Sequence, residues 1–148
     1  MNKLVFVPPP VIALLLLALG HGLDLLLPGF PKLSLPLLGI VLMASGAALA
    51  LMALSRFRQL RTTFVPHGDP SALALTGPYL WTRNPMYLGL LTALSGFVLY
   101  LGGLPLLLAP PAFFVLIDRA HIPYEETKLA GLFGEAYAAF RDRTPRWL

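Results

Sequence analysis

Residues 35–61 read LPLLGIVLMASGAALALMALSRFRQLR. From Leu35 to Ser55 no side chain is charged, and a run of about twenty apolar residues is what an α-helix needs to cross the hydrocarbon of a bilayer. The same stretch is rich in small residues, Gly39, Ala44, Ser45, Gly46, Ala47, Ala48 and Ala50, which let two membrane helices approach closely. Arg56, Arg58 and Arg61 then stop it. A span with a packing face and a basic end predicts an all-α integral membrane protein.

Upstream lies a second apolar run, Val5–Leu27, entered through Pro8-Pro9-Pro10. Prolines suit the first turn of a helix and break its middle, so a span is predicted over about 10–27. A secretory signal is a poor reading, because the basic region holds only Lys3 and no small-x-small cleavage site follows. Downstream, a polar cytosolic loop over 56–84 precedes apolar runs at 85–101 and 104–121. Gly102-Gly103-Leu104-Pro105 joins them as a tight helical hairpin, and Pro110-Pro111 predicts a kink or a local break within the last. Pro123 is expected to start a separate amphipathic cytosolic helix over 123–141. The whole, 1–148, is read as a single membrane domain with about four transmembrane helices, at about 10–27, 35–55, 85–101 and 104–121.

Composition agrees. The 148 residues are 57% hydrophobic and only 12% charged, with mean hydropathy +0.74, where soluble domains carry about 25% charge. The absence of cysteine excludes disulfides, thiolate metal sites and cysteine nucleophiles. The net charge of +4 raises the question of a nucleic-acid partner, which topology answers. Four spans place Lys3, Arg56, Arg58, Arg61, Arg83, Arg119, Lys128, Arg141, Arg143 and Arg146 on one side and Lys32 alone on the other. By the positive-inside rule both termini are cytoplasmic in a multi-pass protein, and the basic excess needs no nucleic acid. The sequence assigns no oligomeric state.

Chemistry should sit at the cytoplasmic mouth, where two polar clusters gather. In the first, Thr76-Gly77-Pro78-Tyr79-Leu80-Trp81-Thr82-Arg83-Asn84-Pro85 leads into a helix. Arg83 and Asn84 beside a helix N-terminus make an anion site. The same residues would also serve as a snorkelling arginine with Tyr79, Trp81 and Tyr87 as an interfacial aromatic belt. In the second cluster, Glu126 heads an apolar stripe at helical spacing, Leu129, Phe133, Tyr137 and Phe140, with Glu125 flanking it. These carboxylates either favour the positive end of a helix dipole or bind a cationic or hydroxyl-bearing ligand. His21 and Asp24 read as snorkelling residues at the opposite interface, and His121 is placed to pair Asp118. Three histidines scattered at 21, 67 and 121 predict no metal site.

The stretch Gly77-Pro78-Tyr79…Arg83-Asn84-Pro85-Met86-Tyr87-Leu88-Gly89 resembles the GPYRxxRHPxYxG signature of the isoprenylcysteine carboxyl methyltransferases, which share a wider group of integral membrane methyltransferases with the phospholipid methyltransferases. Glu125-Glu126…Leu129…Phe133-Gly134…Tyr137 is similar to the family's second element, EE-xx-L-xxx-FG-xx-Y. His67 falls where many members have a histidine. The likeness runs from about Phe64 onward. It implies an S-adenosylmethionine-dependent methyltransferase acting at the membrane on a lipophilic small molecule or a lipid-borne acceptor. The implied cofactor residues are His67, Pro78, Tyr79, Arg83, Asn84, Tyr87, Glu125, Glu126 and Tyr137, with Arg83 and Glu126 the two on which catalysis should most depend. Asn84 departs from the signature, standing in place of its histidine. Two other readings remain open at this point. One is a sterol-reductase-like membrane enzyme using NADPH. The other is a non-catalytic small transporter or helper protein.

Overall fold

Pro36 occupies the first turn of a 24-residue helix that runs to Gln59 with Arg56 and Arg58 in its last turn. In the computed structural model, which describes residues 3–29, 31–60 and 70–148, this is the second long helix (α2). It follows α1, Pro9–Leu26, which likewise opens on two prolines. Helix α3, Pro85–Leu101, starts at a proline and closes at Gly102, whose φ of +76° is the left-handed cap that turns the chain back. A 3-10 turn, Leu104–Leu108, then enters α4, Ala109–Leu116.

The pair Pro110-Pro111 falls in the first turn of α4, where missing N–H groups cost nothing. The local break expected there is the change from the 3-10 turn Leu104–Leu108 to α4, and a second irregularity begins six residues after Pro111. Ile117–His121 form one π-turn, in which Ile122 N–H donates to the Ile117 carbonyl. That widened turn lets the helix pass Pro123 without ending, so α5, Ile122–Arg143, continues the same rod. The fourth run and the C-terminal helix are therefore not separate elements. The break comes instead at Gly134, whose φ of 50° and ψ of −121° are not helical.

Among the described residues three helical stretches are long and apolar enough to cross a membrane, Pro9–Leu26, Pro36–Gln59 and Leu104–Arg143, and the apolar Pro85–Leu101 is shorter. In the last of the three the uninterrupted apolar run ends at Ile117, before Asp118 and Arg119. Leu14, Leu15 and Leu19 on α1 and Leu37, Val41 and Leu51 on α2 are exposed. So much outward leucine suits a lipid surface and not water.

Glycine sets how α2 and α3 meet. A Cβ on Gly46 would lie 2.5 Å from the Gly89 carbonyl oxygen, and one on Gly96 would lie 2.6 Å from that of Gly39. The two backbones therefore touch at two levels, seven residues apart on each helix. Behind them Leu106, Phe113, Ile117 and Ile122 pack with Ile12, Leu94 and Val98 in the main core. A smaller core of Ala53, Ala74, Tyr79, Tyr137 and Phe140 lies at the end where the polar clusters meet. At the opposite end Asp24 does not snorkel. It is 8% exposed and lies 3.8 Å from Lys32, which is 69% exposed. The missing side chain of Gly103 leaves room for its carboxylate.

Candidate active site

The segment before α3 is shaped by its own residues. Gly77 takes φ +65°, and the 3-10 turn Gly77–Leu80 buries Pro78 and Tyr79. Tyr79 is 6% exposed and meets Phe57 of α2 edge-on at 5.7 Å, whereas Trp81 is 63% exposed. Of the expected aromatic belt, then, Trp81 alone faces outward, since Tyr87 is buried too. Thr82 is fully buried, and its hydroxyl accepts from the Asn84 N–H at 3.2 Å, which orients the chain into α3.

Helix α5 brings its carboxylates to this turn. The Tyr87 hydroxyl donates to Glu125 Oε1. Burial pushes the Glu125 carboxyl up to about 7, with the Tyr87 hydrogen bond opposing and the Glu126 charge assisting. Glu126 Oε1 lies 3.1 Å from Arg83 Nη2, and its Oε2 lies 2.6 Å from Arg146 Nη2. Both Glu126 oxygens are thus occupied by arginines. Arg83 Nε and Nη1, by contrast, are buried and make no hydrogen bond, an arrangement that native interiors rarely tolerate without a ligand or water. Burial and the Glu126 charge raise the Tyr137 phenol, and the Arg83 guanidinium beside it opposes that rise. Burial, with the Glu125 charge, raises Tyr79 as well.

A cavity of about 390 Å³ lies between these elements, within the range of small-molecule and cofactor sites. Tyr79, Arg83, Asn84, Tyr87, Glu125, Glu126 and Tyr137 all stand on its wall. Pro78 is buried in the turn behind and does not reach the wall. His67 lies outside the described residues. The lining also includes Val5, Phe6 and Pro8–Pro10, ahead of and in the first turn of α1, to which the sequence did not point, together with Phe57, Met86 and Leu129. The proline triplet was visible, but only as a helix start.

Two more residues were missed. His121 is fully buried and does not pair Asp118; its Nε2 contacts the Val7 carbonyl at 3.0 Å, tying the N-terminal wall to the π-turn. Asp118 instead accepts from Trp147 Nε1 at 2.9 Å and from Arg146 Nη1 at 3.3 Å. Arg146 figured in the sequence only as a topological charge. Here its carbonyl accepts from the Thr82 hydroxyl and from Asn84 Nδ2, each at 2.9 Å. Asn84, the departure from the signature, thus fastens the C-terminal segment. Among the described residues no three His, Cys, Asp or Glu side chains gather as a metal site.

Chemically the wall offers unsatisfied guanidinium donors, a carboxyl that changes charge near neutrality, and aromatic and aliphatic faces. That set suits a small zwitterionic molecule with an apolar neighbour. Comparison with known proteins supplies a family. A family model described as phospholipid methyltransferase matches residues 35–136. An uncharacterized protein of Haemophilus influenzae is 36% identical over 63 residues, which is 43% of this chain and the whole of that protein. No solved structure matches the chain significantly.

Proposed function

The chain belongs to the phospholipid methyltransferase family of membrane methyltransferases, and on that premise we propose that it methylates a lipophilic or lipid-borne acceptor using S-adenosylmethionine. The observation that carries this reading is Arg83, on the cavity wall with Nε and Nη1 buried and unpaired. A carboxylate is the natural partner of such a fork, and the amino-acid end of this cofactor bears one.

The remaining roles follow from what each residue has free. Both oxygens of Glu126 are taken by Arg83 and Arg146, so it has none left for a ligand. Glu125, whose hydrogen bond among the described residues is through Oε1 to Tyr87, is the carboxylate left to meet an ammonium or a ribose hydroxyl. Tyr79, Tyr87 and Tyr137 supply aromatic faces toward a cationic centre. Pro78 shapes the turn that presents Tyr79, and Asn84 anchors the neighbouring backbone. His67 keeps the role that the resemblance implies. When bound, the cofactor supplies a methyl group on a sulfonium, which passes to the acceptor as the carbon–sulfur bond breaks and its electron pair stays on sulfur. The protein's contribution is then positioning and exclusion of water, and the apolar wall of Val5, Phe6 and Pro9 serves the latter.

Four spans with both termini cytoplasmic complete the reading, supported by the one-sided basic residues. The acceptor then arrives from the bilayer along the apolar start of α1. Calorimetric titration of the nanodisc-embedded protein tests the proposal, using S-adenosylmethionine and its demethylated product with NADPH in parallel. Binding of the first two is expected, weakened at least about ten-fold by Arg83→Ala. A folded wild-type protein that binds neither, or binds NADPH in their place, overturns it.

A further inference from the structure

After α5 the chain leaves helical geometry at Thr144 (φ −123°, ψ 124°) and doubles back under the Arg83 turn. Three backbone acceptor bonds hold it there. The Pro145 carbonyl accepts from Arg83 N–H at 2.9 Å, and the Arg146 carbonyl accepts from Thr82 and Asn84. Trp147 packs on Phe114 with ring centroids 4.9 Å apart and donates to Asp118. This strap delivers one guanidinium between two carboxylates. Arg146 Nη2 and Nε take Glu126 Oε2 and Oε1 at 2.6 and 3.2 Å, and Nη1 takes Asp118.

Glu126 Oε1 is therefore shared between Arg146 Nε and Arg83 Nη2. A carboxylate facing a lone arginine prefers the two-pronged pairing that occupies two of its N–H groups. Here that pairing goes to Arg146, and Arg83 is left with a single contact to Glu126. We propose that Arg146 is a positioning residue that keeps Arg83 available to an anionic ligand group, by engaging Glu126 in the pairing Glu126 would otherwise make with Arg83. The idea rests on the reading of the cavity as a methyl-donor site, and it assigns the C-terminal strap a part in donor recognition. Asp118 and Trp147 fix where the Arg146 guanidinium sits.

The test compares two ligands of the nanodisc-embedded protein, S-adenosylhomocysteine, which bears the carboxylate, and 5′-methylthioadenosine, which lacks the amino-acid end. Arg146→Gln is expected to weaken the first about ten-fold or more and to leave the second within about two-fold. Arg146→Lys should recover part of the loss. Glu126→Gln combined with Arg146→Gln should recover more, since no carboxylate then competes for Arg83. Equal weakening of both ligands by Arg146→Gln, or no recovery in the double variant, overturns the inference and leaves Arg146 a structural residue. Wild-type protein that binds neither ligand would count against the donor site itself. Wild type that prefers the carboxylate ligand, with Arg146→Gln unchanged, would count against Arg146 alone. Should Arg146→Gln fail to fold, Arg146→Lys read against the same two ligands decides the question.

Discussion

At the scale of single residues, Glu125 combines a structural cost with a use. Its carboxyl is raised from 4.5 to about 7, chiefly by burial, so the folded protein holds that proton more tightly than the unfolded chain does. Its contribution therefore falls as pH rises from about 4.5, and the loss is complete above about 7. Glu125→Gln keeps an acceptor for Tyr87 and removes the charge. Thermal unfolding in nanodiscs should show the variant more stable than wild type at pH 8, by on the order of 3 kcal/mol for a shift of this size, and equal to it below pH 4.5. Donor affinity should move the other way. It should rise with pH through 7 in wild type and be weak and flat in Glu125→Gln, and a wild type whose affinity falls with pH would refute the assignment.

Helices and turns are where sequence and structure part company. The α2–α3 contact was readable because Gly39 and Gly46 recur seven residues apart on an uncharged run, and the turn at Gly102 because glycine followed by proline cannot extend a helix. Pro110-Pro111 was readable only in part, since a proline pair says that a helix starts or breaks there without saying which. The π-turn at Ile117–His121 has no local signature, and the expected stripe from Glu126 to Phe140 assumed a helix that Gly134 interrupts. Arg83, Glu125 and Tyr137 were found through motif chemistry. Arg146 was not, because its partners Thr82 and Asn84 lie 64 and 62 residues away and leave no periodicity. Two substitutions probe this scale. Gly46→Val, with no room at 2.5 Å from Gly89, should force α2 from α3 and cost about 3 kcal/mol or more, seen as early melting and aggregation in detergent. Gly22→Ala, where an added Cβ meets nothing within 4 Å, should be silent. Gly134→Ala must strain or straighten α5, at roughly 1–3 kcal/mol, and should weaken donor binding through Tyr137 and Phe140.

For the molecule as a whole, charge and site point to one face. Arg56, Arg83, Lys128 and Arg146 belong to the end that carries the cavity, and Lys32 with its partner Asp24 belongs to the other. A chain without cysteine makes this easy to examine. Ser71→Cys and Arg143→Cys should react with an impermeant maleimide only when the cytoplasmic side is opened, and Leu33→Cys should react from outside intact cells. Labelling of Leu33→Cys and Arg143→Cys from the same side would mean an even number of crossings between them and would overturn the three that four spans require.

The cavity is closed on one side by Val5, Phe6 and Pro8–Pro10 and buttressed on the other by the Arg146 strap. More than a hundred residues of intervening chain have to be synthesised and inserted before those two ends can meet. A chain made only as far as α3 has most of its apolar helices but not this cavity. Synthesis proceeds from the N-terminus and distant contacts form late, so the cavity can be completed only once residue 146 has been added. A ligand that binds only the folded state adds stability to that state alone. On the proposed function, a bound donor would therefore protect molecules whose cavity has formed from proteolysis and leave the others to be cleared.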